Sequence, residues 1–314
     1  MKPQQYTRVP IAPTGYASSP YDPNPKPSKT GCEYGWSPAN WNGQEWSFII
    51  SWLVQLAVLI VSAVALGKDH VPEVLSLVLI LETAVQGVEF AWYTIVGVLY
   101  LFGTTSIDVG YRYLDWAIST PIMLVSLMFF TLWEANRCTR REDLLGYDGS
   151  RVAALIVVIV CDLMMLLVGA SYANARPDGT GFWASLSRMY DSIVFFTKRK
   201  GDGIFLGWIW FVGAFVPLFV ILATDHSKIG GQLAVSLSFV VWALYGVVAV
   251  GYYWAGSISG TTANTCYNLL DLLSKNVMGV IVAIVVLNGN FAPSDLQCTV
   301  VNGRPWEASV VGNA

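Results

Sequence analysis

Charge is scarce in this sequence. Lys and Arg number 18 and Asp and Glu 21 among 314 residues, so charged residues make up 12%, against about 25% in ordinary soluble domains. That deficit argues against a soluble enzyme. With only two histidines and five cysteines, the chain shows no Cys/His cluster of metal-ligand spacing and too few cysteines for a disulfide scaffold; no metal site is expected. A formal net charge of −3, with basic residues scattered rather than striped along one face, points away from a nucleic-acid partner. Plentiful aromatics exclude a disordered chain, and glycine without a triplet period excludes a collagen-like one.

What is abundant is apolar sequence, at 54%, and it is gathered into runs long enough to cross a bilayer. A span needs roughly 20 apolar residues, because lipid offers no partner to an open backbone group. Seven runs qualify, here named spans A to G: Trp46 to Leu66, Val74 to Phe102, Tyr111 to Trp133, Val152 to Tyr172, Ile204 to Ala223, Leu233 to Trp254 and Thr262 to Leu287. The expectation is an all-α, multi-pass membrane protein, a seven-helix bundle over residues 46–289 with the lipid bilayer as its surroundings. Residues 1–45, rich in Pro, Tyr, Ser and Asn and without a cleavable signal pattern, read as an extended extracellular tail, and 290–314 as a short cytoplasmic one. Phe182 to Phe196 is too short and polar to span, and reads as an amphipathic stretch at the interface followed by Lys198, Arg199 and Lys200.

Loop charges conflict over orientation. Arg137, Arg140, Arg141 and Arg151 put the C to D loop in the cytoplasm and the N-terminus outside, whereas Lys198 to Lys200 then fall outside. Four charges on a short loop outweigh three on a long one, so the N-terminus is expected to be extracellular. Cys32 and Cys266 then share the outer side, as a bridge or as free thiols, while His70 and His226 read as solvated residues of inner loops.

A charge at membrane depth costs several kcal/mol unless paired or hydrated, so each one is a functional hypothesis. The set is Glu82 and Glu89 in B, Arg112 and Asp115 in C, Asp162 in D, and Asp271 and Lys275 in G. Lys275 sits midway along its span, too deep to snorkel, and needs a partner or a chemical modification. Asp271 is one turn away on the same face. A buried lysine is also a good imine-forming nucleophile; the plain alternative is a Lys–Asp pair that holds G in place. Trp116, Trp208, Trp210, Trp242, Tyr245 and Tyr93 are placed to surround a flat apolar ligand, although each taken singly reads as packing.

The stretches RYLDWAISTP, Arg112 to Pro121, and LDLLSKNVMG, Leu270 to Gly279, resemble helices C and G of the microbial (type 1) rhodopsins, joined by Trp242 to Tyr245 and by Asp162. The resemblance covers about 240 residues in order and spacing. It implies all-trans retinal in the core of the bundle, bound covalently to Lys275 as a protonated Schiff base. By the same resemblance Asp115 is the primary counter-ion and proton acceptor, Asp271 the second counter-ion and Arg112 the gate residue toward the outer surface. Trp116, Ser119, Trp210, Trp242 and Tyr245 belong to the retinal pocket, Tyr93 bonds the second counter-ion, and Asp162 is the buried carboxyl near the ring of the chromophore. Gly246 and Ala249 depart from the family pattern, standing where proline and tryptophan are common, and Pro217 falls near the ring end.

Ser126 stands where outward proton pumps carry an acidic donor. Glu82, Gln86, Glu89 and Tyr93 form one stripe of span B. Glu82 lies about 16 Å inward of Tyr93 and Ser126 the same eleven residues inward of Asp115, so Glu82 is at the depth of the missing donor, with Glu89 between it and Lys275. The resemblance thus implies a non-enzymatic, light-driven ion transporter moving protons or small cations, assembled as a homo-oligomer. An outward proton pump is preferred; a light-gated cation channel using the Glu82, Gln86 and Glu89 stripe is the alternative, and a sensory photoreceptor the third reading.

Overall fold

The computed structural model describes residues 43–102, 109–135, 144, 149–175, 179–194, 201–225 and 228–289, together with the backbone of 300, 301, 304 and 305. Helices α1 (Gly43–Leu66), α2 (Glu73–Leu101), α3 (Val109–Ala135) and α4 (Ser150–Ala173) are spans A to D. The short α5 (Gly181–Ile193) follows, then α6 (Ile204–Thr224) and α7 (Ile229–Ala249), which continues through a π turn at Val250–Trp254. The last span consists of α8 (Gly260–Asp271), a π turn at Leu272–Asn276 and α9 (Val277–Asn288). Among the described residues, seven helical rods are long and apolar enough to cross a membrane. Strand structure among the described residues is confined to the two-residue pairing of Val300–Val301 with Arg304–Pro305.

The expected spans agree with these helices to within a few residues, because an apolar run in lipid has no alternative to satisfying its backbone internally. The helices close a ring in which each packs on its neighbours and the last returns to α1. α3 is the most enclosed of the seven rods and α7 the least, so residues on α3 face the middle of the bundle from several sides. Close packing in lipid requires small residues at crossings. Gly169 of α4 is one, since a Cβ there would overlap the Tyr113 ring of α3. Large apolar side chains such as Ile60, Leu114, Ile209 and Val247 remain exposed around the outside, as a lipid-facing belt demands.

Helix ends are satisfied by specific groups. The Ser259 hydroxyl caps α8 by accepting from Thr262 N at 3.1 Å. At the far end, Lys68 Nζ donates to the carbonyls of Val286, Leu287 and Gly289 at 2.8, 2.7 and 2.7 Å, which answers the open carbonyls of α9.

The segment expected to be amphipathic largely coincides with α5, with Phe182, Met189 and Ile193 exposed on one face. Asp191 anchors it, its Oδ1 accepting from Tyr172 Oη at 2.5 Å and from the amides of Gly201 and Gly203 at 3.1 and 2.9 Å. His70 is an exposed turn residue with φ of 60°, and Cys266 is a free thiol. Cys32, Cys138, His226, Lys198 to Lys200 and the arginines at 137, 140 and 141 lie outside the described residues, as do the two tails apart from Gly43 to Glu45 and the short strand pairing.

Candidate functional site

The ionisable side chains of α2, α3 and α8 converge on one lysine. Lys275, 1% exposed in the second π turn, places Nζ 2.8 Å from Asp115 Oδ2, 3.0 Å from Glu89 Oε1 and 3.9 Å from Asp271 Oδ1. Its neighbours thus come from three elements, and the nearest two are not on its own helix. Asp271 was the counter-charge legible from helical spacing, yet it is the most distant of the three. The intervening π turn changes the angular register between residues 271 and 275.

Asp271 is fully engaged elsewhere. Its Oδ2 accepts from Arg112 Nη1 at 2.8 Å and Tyr93 Oη at 2.9 Å, and its Oδ1 from Tyr245 Oη at 2.8 Å and Trp116 Nε1 at 3.2 Å. Tyr93 therefore makes the contact expected of it. Arg112 also donates to Tyr93 Oη at 2.9 Å and to Asn268 Oδ1, and Asn268 Nδ2 continues the network to Ser47 Oγ at 2.7 Å. Asp115 contrasts with this. Its Oδ1 has no hydrogen-bond partner among the described residues.

Two cations, Lys275 and Arg112, face three carboxyls, Asp115, Asp271 and Glu89. All three ionised would leave a net negative charge in the bundle, which is costly in a low-dielectric interior. The cluster is neutral when it holds one proton.

Next to Lys275 runs an apolar cavity walled by Trp116, Trp208, Phe211, Trp242 and Tyr245, with Met165, Leu166 and Gly169 on its α4 side. Aromatic faces on several sides and an amine at one end suit a flat, elongated apolar group joined to Nζ. Trp208 and Phe211 are the aromatic walls contributed by α6. Trp210, expected in the pocket, is absent from the lining and packs beside Val168, Tyr190 and Ile204; two residues along a helix turn about 200°, so only one of the pair can face inward. Ser119 is buried without lining the cavity, and Pro217 lies beyond it. Asp162 also lies behind the wall, accepting from Thr120 Oγ1 at 2.8 Å, and Thr120 is the residue that lines.

Gly246 now has a physical reason, while Ala249 is a further part of the lining. Gly246 lines the cavity, and a Cβ there would stand 2.6 Å from Trp208 Cζ2. The indole of Trp208 thus occupies the room that the missing side chain leaves. Gly246→Ala is expected to destabilise the protein despite a helix-propensity gain of about 1 kcal/mol, because overpacking costs about 1–3 kcal/mol; thermal unfolding in detergent measures the balance, and an unchanged or raised Tm would contradict it.

A family model for bacteriorhodopsin-like proteins matches residues 42–289. The chain belongs to the bacteriorhodopsin-like family. Members of this family are not enzymes, and generally carry retinal on a lysine. Solved structures show the same fold: a viral rhodopsin, OLPVRII, is 22% identical with a TM-score of 0.57 over 78% of this chain and 98% of that one. The thermophilic rhodopsin from Rubrobacter xylanophilus is 18% identical with a TM-score of 0.56, over 76% and 94%. The light-driven proton pump of Coccomyxa subellipsoidea is 15% identical with a TM-score of 0.54, over 78% and 97%. A comparison with curated protein sequences finds no significant match. At these identities the likeness to solved structures concerns the fold alone, so this rhodopsin's own residues must carry the argument for its activity.

Several of those residues escaped the sequence reading. Gln55 and Ser62 on α1 are fully buried, and Gln55 Nε2, Gln55 Oε1 and Ser62 Oγ have no hydrogen-bond partner among the described residues. Asn268 and Asn276 are buried too. A signal was available for α1, where Ser47, Ser51, Gln55 and Ser62 recur at helical spacing in an apolar run. Attention to charge alone passes over such a stripe. Glu82 is fully buried beside Ser126, which brings the α2 carboxyl to the place on α3 where an acid was missed.

Proposed function

We propose that this protein is a light-driven outward proton pump with all-trans retinal linked to Lys275 Nζ, Asp115 as proton acceptor and the N-terminus outside. One observation carries the assignment: Asp115 touches Lys275 Nζ at 2.8 Å and keeps one oxygen open, whereas both oxygens of Asp271 are occupied by four other donors. An acceptor needs contact with the proton and room for it; Asp271 lacks the room, and of the two carboxyls that have both, Asp115 is the nearer to Nζ, at 2.8 Å against 3.0 Å for Glu89. Retinal bound in the cavity would supply light absorption and a change of shape that makes the proton on Nζ available. The residues do the rest.

Asp115 takes the proton from Nζ. Arg112, pinned to Asp271, Tyr93 and Asn268, stands between that site and the end of the bundle at which α1 begins. Resupply comes from the other end. Glu82 beside Ser126 is the buried acid at that depth, and Glu89 lies between it and Lys275. The proposal includes a bilayer setting, extracellular and cytoplasmic tails, and assembly with copies of the same chain. Asp162, joined to Thr120, braces the wall near the ring end.

Glu82→Gln removes the transferable proton without changing size. It is expected to slow photocycle recovery by about 10²-fold or more, in the range of about 10²–10⁴-fold of general acid–base groups, and flash photolysis reads this directly. Unchanged recovery would remove Glu82 from the donor role.

A light-gated cation channel is the second reading, and one observation favours it. Buried polar atoms of Gln55, Ser62, Gln86 and Asn276 have no partner among the described residues, and each such group costs about 1–3 kcal/mol unless water reaches it. A column of them along the Glu82 and Glu89 stripe suits a hydrated path. Voltage clamp under illumination separates the readings. Photocurrents outward at every voltage support the pump; currents that reverse with the cation gradient support the channel and overturn it.

A further inference from the structure

Between Glu82 and Glu89 on the buried face of α2 stands Gln86, itself fully buried. Its Nε2 donates to the backbone carbonyl of Lys275 at 2.9 Å. Gly279 makes that reach possible, since a Cβ there would crowd Nε2 at 3.2 Å and Val58 Cγ1 at 3.4 Å. The other end of the amide is left over: Oε1 has no partner among the described residues. An orphaned buried amide oxygen costs about 1–3 kcal/mol, so this arrangement satisfies only half of the side chain.

A second arrangement is close by. Glu82 and Glu89 lie four residues before and three after Gln86, which makes them its neighbours on the helix surface. An amide released from Lys275 can donate to one carboxyl and accept from the other, provided the latter is protonated. The span between the two acids is seven residues, about 10.5 Å along the helix, and Gln86 is the one polar side chain of the stripe inside it. The carbonyl it holds belongs to the residue at the centre of the charge cluster, in a π turn, a feature that often marks functional sites.

We propose that Gln86 is a latch: a positioning residue that ties the peptide of Lys275 to α2 in the dark and, when Lys275 shifts, swings its amide into the stripe and connects Glu89 to Glu82. The latch rests on the reading of Lys275 as the retinal-bearing lysine. It explains how a movement at Lys275 is felt at Glu82, which Lys275 does not touch.

The test is light-minus-dark infrared spectroscopy of protein carrying ¹³C at lysine carbonyls, reconstituted with retinal. The wild type is expected to show a label-sensitive amide change. Gln86→Leu, similar in size but without a donor, is expected to form the visible band, to lose that lysine change and to recover roughly tenfold more slowly, in the usual range of coupling between sites. Gln86→Glu, which retains a donor when protonated, is expected to restore the change. No lysine-sensitive change in the wild type, or the same change in wild type and Gln86→Leu, overturns the latch while leaving the retinal assignment standing. Failure of the wild type to form a visible band with retinal overturns the Lys275 reading and the latch with it.

Discussion

Replacing Lys275 with alanine is expected to give a membrane-inserted protein with no visible absorption band in the presence of retinal. Nothing else in the cavity can take its place, because Lys275 is the one amine in the lining and the remaining walls are aromatic, aliphatic or hydroxyl-bearing. The substitution also has an electrostatic cost. Asp115 and Glu89 would lose the cation at 2.8 and 3.0 Å, and stripping one partner from a buried pair typically costs about 3–5 kcal/mol. Loss of colour could then be confused with loss of fold. Lys275→Arg resolves this: a guanidinium keeps the charge but does not form an imine with an aldehyde, so the variant should remain folded and colourless. A visible band persisting in either variant would overturn the retinal assignment.

The second large effect is expected at Asp115. Asp115→Asn keeps the size and removes the acceptor, so the visible band should still form while the outward photocurrent falls by about 10²-fold or more, as general-base removal does. Glu89 is the control, because its carboxyl is nearly as close to Nζ. If Asp115 is the acceptor, Glu89→Gln retains substantial current. The reverse outcome, a silent Glu89→Gln and an active Asp115→Asn, would hand the acceptor role to Glu89 and remove the observation on which the pump assignment stands.

The difficulty of ranking those two carboxyls before the fold was known has a physical origin. Depth and face follow from helical spacing, so Glu82 was placed near the level of Ser126 and Glu89 between Glu82 and Lys275. Distance across a helix interface depends on how two rods cross and rotate, to which spacing within one rod is blind. Glu89 was therefore read as a point on the way to Lys275, and it proves to be in contact with it. Trp208 and Trp210 show the same limit. Both are aromatic and both lie in α6, and only the rotation of α6 about its axis decides which one faces the cavity. Asp271 shows it for a local reason, since a π turn alters register without leaving a mark in composition.

The apolar runs by themselves determined that this chain is a bundle of seven membrane helices, because lipid permits hardly any other way to satisfy so much backbone. The scarcity of charge within those runs made Lys275, Asp115, Asp271, Arg112, Glu82 and Glu89 stand out. Tertiary structure alone decided that Asp115 and Glu89 both meet Lys275, each with an oxygen that has no hydrogen-bond partner among the described residues, that Arg112 is spent on Asp271, and that Gln86 grips the lysine's own carbonyl. Those are matters of a few ångströms between side chains on different helices. They are set by packing at the crossings, where a glycine such as Gly279 or Gly246 admits the group that does the work.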